Sequence, residues 1–239
     1  MNVITRLWQS SLGKKYLMAL SGIALFVFVI GHLMGNLQVF AGPEKLNTYA
    51  AFLKSQPMLL WGARLGLLAI VGIHVASAIT LAAQNRAARP VAYASGVSPV
   101  GASYASRTMV MSGLIVGCFI IYHLLHYTVL VPAVNLTGKD FAQLHEAAGK
   151  DGAERHDVYR MLILGFRQPV VAGFYIISMG LLCLHLSHGL SAMFQSLGIT
   201  RFSRSGRDGV ARAVGILIFL GYASIPVAVL LGLGKEVVK

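Results

Sequence analysis

Five stretches of this 239-residue chain are apolar for longer than a soluble helix needs: Tyr16–Phe40, Met58–Ala83, Thr108–Pro132, Pro169–Gln195 and Val210–Leu233. About 20 apolar residues cross the hydrocarbon core of a bilayer, so each stretch suffices with some tilt. None contains Asp or Glu; all eight acidic residues lie between or beyond the stretches. The pattern predicts an all-α integral membrane protein, a single domain over 1–239 with five transmembrane helices. Before the first span, Val3, Ile4, Leu7, Trp8 and Leu12 recur at helical spacing beside Arg6, Lys14 and Lys15, which predicts a helix lying in the membrane interface. The long segment Ala133–Gln168 is the one strongly mixed-charge region, and its apolar positions predict a surface helix.

Composition agrees with the pattern. Charged residues are 12% of the chain and hydrophobic residues 56%, where soluble domains carry about 25% charge. The net charge of +12 does not point to nucleic acid, because the bases sit in short loops flanking the spans, where they meet lipid headgroups or an acidic partner. Cys118 and Cys183 lie in different spans and read as packing residues. Each side of the membrane has ten bases, counting Arg64 with the second. The N-terminal side has Arg6, Lys14, Lys15, Arg86, Arg89, Arg107, Arg201, Arg204, Arg207 and Arg212, with the single acid Asp208. Base density and the weight of the first helix place the N-terminus in the cytoplasm.

Histidines carry the chemistry. Of eight, His145 and His156 lie in the charged loop and read as solvated; His32, His74, His123, His126, His185 and His188 are inside spans. Imidazole in hydrocarbon needs a partner on another helix or a metal. His32, His74, His123 and His188 lie 16, 16, 15 and 19 residues into their spans. Because neighbouring spans alternate in direction, His32 and His123 share an outer level, and His74 and His188 an inner level. Two sequence echoes repeat this pairing. Ser21-Gly22 precedes His32 as Ser112-Gly113 precedes His123, and Gly66-Leu67-Leu68 precedes His74 as Gly180-Leu181-Leu182 precedes His188. The glycines fall near the opposite level, where they would admit a flat macrocycle. Two imidazoles facing each other make a six-coordinate haem site that carries electrons, whereas zinc would need about four ligands. The expectation is therefore two bis-His haems b in a bundle of the first four helices. His126 and His185, each three residues from an expected ligand, are alternatives on nearly the same helix face.

The segments GHLMGN around His32, GIHVASA around His74, IYHLLHY around His123 and HLSHGLSAMFQSLG around His188 resemble the five-helix, dihaem cytochrome b subunit of succinate dehydrogenase/fumarate reductase over essentially the whole chain. The resemblance implies a multi-pass anchor in the bacterial cytoplasmic membrane for a flavoprotein subunit and an iron–sulfur subunit. It implies electron exchange with a menaquinone-type quinone. It places His74 and His188 on the haem nearer the iron–sulfur subunit and His32 and His123 on the distal haem. Any dicarboxylate chemistry would belong to the partners, since this chain has no nucleotide-binding loop or carboxylate pair. Outer-level residues that could meet a quinone are Asn36, Gln38, Glu44, Arg64, His126 and Tyr127, with Glu44 as a proton carrier. The competing readings are the dihaem anchor of another membrane dehydrogenase or hydrogenase, and a transporter or structural anchor without cofactor.

Overall fold

The computed structural model describes residues 2–88, 107–148, 153–199, 201 and 203–238. Arg89 and most of the basic loop before the third span lie outside the described residues. The chain is mostly helical, and five helices are long and apolar enough to cross a membrane. This is a multi-pass architecture. A short helix α1 (Val3–Gln9) leads into α2 (Ser11–Asn36), which continues as a 3-10 turn to Ala41. Then follow α3 (Pro43–Lys54), α4 (Pro57–Ala87), α5 (Met109–Tyr127), the single turn α6 (Pro132–Asn135), the hairpin β1 (His145–Ala148) and β2 (Ala153–His156), α7 (Val158–Phe166), α8 (Pro169–Ser196) and α9 (Arg204–Leu231).

The N-terminal segment is two helices rather than one. Ser10 is extended (φ −85°, ψ 140°), and its hydroxyl accepts from the Gly13 amide, capping α2. Lys14 is buried, and its ammonium donates to the Trp8 carbonyl at 2.8 Å, satisfying the open end of α1. The first span therefore starts five residues earlier than expected. The third ends five residues earlier, at Tyr127, because Leu130 takes a positive φ of 62° ahead of Pro132.

The expected surface helix in 133–168 is replaced by a cap on the face opposite the N-terminus. Strands β1 and β2 pair antiparallel, with Glu146 facing Arg155. Helix α7 follows, capped by Asp157, which accepts from the Arg160 amide at 2.9 Å. Seven of its nine residues are buried. Its sequence VYRMLILGF is apolar almost all round, and such a helix must be covered on several sides. Tyr159, Leu162, Ile163 and Phe166 share one core with Val39 and Leu46, with Val171, Tyr175 and Met179 of α8, and with Ile225 and Val229 of α9. Fully buried Asn47 of α3 ties the cap together. Its amide donates to Glu146 and Asp157 (2.8 and 2.9 Å), and its carbonyl accepts from the Tyr159 amide at 2.8 Å. His156, expected in solvent, is half-buried with Nε2 at 2.9 Å from the Phe141 carbonyl; His145 is exposed.

Around this end the span surfaces are apolar and open, as with Leu65, Leu68, Ile121, Leu217 and Leu231, all more than half exposed. Lipid covers such faces at no cost. In the bundle, α2 packs along α4, α5 along α8, and α8 along α9. The remaining diagonals, α2 to α5 and α4 to α8, are bridged by the histidines.

At the rim of the cap, Arg155 donates to Glu44 at 2.5 Å and lies 2.7 Å from Glu146. The Arg155 hydrogen bond is the main cause holding the exposed Glu44 carboxyl below its ordinary value of 4.5. The pair therefore stabilises the folded cap above that pH and loses this contribution as pH falls through the depressed folded-state value. Hydrogen-exchange protection of the paired strands 145–148 and 153–156 should fall on acidification in this range. In Arg155→Met the loss should begin closer to 4.5 and from lower initial protection.

Candidate cofactor site

The histidines meet in pairs across the diagonals. His32 of α2 and His123 of α5 have ring centres 5.7 Å apart with planes at 81°. His74 of α4 and His185 of α8 are 6.4 Å apart at 67°. His188 is not opposite His74. It lies nearer the N-terminal face in a small polar cavity with Ser191, Gln195, Arg204, Arg207 and Asp208, where the Ser191 hydroxyl donates to the Asp208 carboxylate.

The inner pair is held by two equivalent serines. The Ser21 Oγ is 3.1 Å from His74 Nδ1, and the Ser112 Oγ is 3.4 Å from His185 Nδ1. Both hydroxyls already donate to their own helix, Ser21 to the Leu17 carbonyl at 2.7 Å and Ser112 to the Met109 carbonyl at 3.1 Å. With its hydrogen in that helix bond, each serine oxygen can accept from its histidine, the arrangement in which Nδ1 carries the hydrogen. A neutral imidazole with hydrogen on Nδ1 has its lone pair on Nε2, the form that binds a metal. The following glycines make room for the rings: a Cβ at Gly22 would come 3.4 Å from His74, and one at Gly113 would come 3.2 Å from His185.

Two levels follow from the same residues. Ser21 marks the depth of His74 on α2, and His32 lies eleven residues further; Ser112 and His123 repeat the step on α5. At 1.5 Å per residue the levels are about 16 Å apart. At the outer level His32 stacks on Phe28, with ring centres 5.3 Å apart, and His123 stacks on Phe119 at 5.9 Å. The Tyr175 hydroxyl is 3.3 Å from His123 Nδ1 and 3.1 Å from His126 Nδ1.

These residues fit the haems expected from the sequence. Imidazole binds metal at about 2 Å, so two rings sharing one iron would have centres about 6 Å apart, the size of both separations here. Among the described residues no three His, Cys, Asp or Glu side chains gather as an ion site. The donors come in twos, the ligand count of a six-coordinate haem.

The quinone candidates are scattered. The Asn36 amide donates to its own helix at the His32 carbonyl, 2.7 Å away, and Gln38 is half-buried in the 3-10 turn. Glu44 is engaged by Arg155 on the cap, which occupies the group expected to carry protons. The Arg64 guanidinium lies 5.1 Å from the Trp61 ring centre. His126 and Tyr127 are together, stacked at 3.9 Å, with His126 Nε2 and the Tyr127 hydroxyl buried and unpartnered among the described residues. Nothing in the sequence pattern marks Tyr175, and the serines of the two Ser-Gly pairs gain a role only from their contacts in the structure.

Comparison with known proteins returns no matching family model, no matching curated protein and no matching solved structure.

Because 3.2 Å is tighter than ordinary contact and 3.4 Å is not, Gly113→Ala should displace the His185 ring and cost about 1 kcal/mol. Gly22→Ala should cost less. Thermal unfolding of the two variants in detergent measures the difference.

Proposed function

We propose that the chain is the membrane-anchor cytochrome b subunit of a succinate dehydrogenase/fumarate reductase. The observation that carries this reading is the pair of diagonal histidine contacts at two depths, with both inner Nδ1 atoms facing serine acceptors. On this reading one haem b is held by His32 and His123 and the other by His74 and His185. The family resemblance of the four histidine segments supplies the rest: a flavoprotein and an iron–sulfur subunit on the cytoplasmic side with the N-terminus, a menaquinone-type quinone, and a bacterial cytoplasmic membrane.

When bound, the haems supply one-electron transfer across the bilayer, between the partner subunits and quinone. The residues of this chain do the positioning. Ser21 and Ser112 fix tautomer and ring angle at the inner level, so Nε2 of His74 and His185 is presented without rearrangement. Phe28 and Phe119 hold the outer rings by stacking, and Tyr175 meets the Nδ1 side of His123. The cap of α3, the hairpin and α7 buries His126 and Phe141 and keeps water from the outer end of the bundle. His188, with Ser191 and Asp208, sits at the mouth on the partner-facing side and is not an iron ligand in this reading.

Redox-difference spectra with haem quantitation of two variants of the purified complex test the assignment. His185→Ala should lose about half of the haem b, and His188→Ala should keep both haems. Loss in His188→Ala with retention in His185→Ala would exchange the two residues, and a wild-type complex free of haem would defeat the proposal.

A further inference from the structure

Tyr175 lies between two histidines on α5 and can donate its single hydroxyl hydrogen to only one of them. The distances, 3.3 Å to His123 Nδ1 and 3.1 Å to His126 Nδ1, put both within reach. Tyr175 is 6% exposed and His126 is 0% exposed, so water does not compete for these atoms. The two imidazole nitrogens are the hydroxyl's hydrogen-bond partners among the described residues. Two arrangements use every group. In the first, His123 Nδ1–H donates to the Tyr175 oxygen and Tyr175 O–H donates to His126 Nδ1. In the second the direction is reversed, and His123 Nδ1 is the acceptor. Only the first leaves a lone pair on His123 Nε2. Among the described residues the His126 Nε2 atom is unpartnered either way and does not distinguish them.

We propose that Tyr175 and His126 are positioning residues that lock His123 in its metal-binding tautomer and tune the outer haem, in a way the inner pair achieves with serines. The inference rests on the haem reading above. It assigns His126 a role as terminal acceptor: its Nδ1 draws the tyrosine hydrogen away from His123. The ligand's Nδ1–H then donates to an oxygen whose own hydrogen is engaged. This makes His123 a more basic ligand, and a more basic imidazole favours ferric over ferrous iron.

Three variants of the full complex test this by redox-titrated optical spectra and haem quantitation. Tyr175→Phe removes the acceptor from His123 without offering a competing donor. It should keep both haems and move the outer one about tenfold toward the reduced form, an upward shift of about 59 mV for a one-electron couple, with the inner haem unchanged. His126→Phe keeps the ring stacking on Tyr127 but leaves Tyr175 O–H with His123 Nδ1 as its remaining acceptor. That favours the wrong tautomer, so outer-haem affinity should fall several-fold. The double variant removes the competing donor as well and should regain the lost affinity. An unshifted outer potential in Tyr175→Phe, or a double variant no better than His126→Phe, would overturn the tautomer lock while leaving the haem assignment standing. If Tyr175→Phe does not assemble, His126→Phe decides: undiminished outer-haem occupancy overturns the proposal. A wild-type complex without haem would instead defeat the reading on which it rests.

Discussion

Everything at the centre of this bundle depends on how a neutral imidazole is satisfied in hydrocarbon. Each ring has one nitrogen that donates and one that accepts, and lipid meets neither need. At the inner level the donor side is met by a serine one helix away, whose own hydrogen is already spent on a backbone carbonyl. With its hydrogen held there, the serine accepts from the ring, and the ring keeps a lone pair on its other nitrogen. A serine free to rotate its hydroxyl would not discriminate between tautomers. The local helix bond is what converts a weak contact into an instruction.

The packing of the fold serves this arrangement unevenly. The dense core lies at one end, where α7 is wrapped by the 3-10 turn, α3, α8 and α9 and pinned by Asn47. Further along, the spans present large apolar side chains outward, and the diagonals close through aromatic and imidazole contacts. The outer level therefore sits under a rigid, buried lid that includes Phe141 and Phe166. The inner level sits near a polar mouth lined by His188, Ser191 and Asp208. A carrier that takes electrons from protein on one side and gives them up within the membrane on the other would need such a difference between its two ends. The outer level also has the longer polar chain, from His123 through Tyr175 to His126.

The spans were legible in the sequence because nothing but lipid asks for so many consecutive apolar residues. The cap was not. Its alternating and helical positions overlap in FAQLHEAAGKDGAERHDVYRML, and the deciding features are tertiary: Asp157 as a helix cap bonded to Asn47, a residue 110 positions away, and α7 buried on nearly all sides. The histidine pairs were half legible. Depth along the spans brought His32 and His123 to one level, as the structure does. Depth also ranked His188 above His185, but three residues amount to about 4.5 Å, less than the uncertainty in where a span begins. The repeated Ser-Gly pairs held the missing information. By spacing alone their glycines suggest clearance for a macrocycle, whereas the structure sets the imidazole of a neighbouring helix against each one, with the serine at its Nδ1. Tyr175 could not have been singled out, since its contacts with His123 and His126 exist only where α8 crosses α5.

The most direct measurement is an experimental density map of the protein isolated from membranes. Two flat, iron-centred densities are expected about 16 Å apart in depth, three helical turns, one between His32 and His123 and one between His74 and His185. A map with no iron-centred density at either histidine pair, or with iron bonded to any other residue, would contradict it.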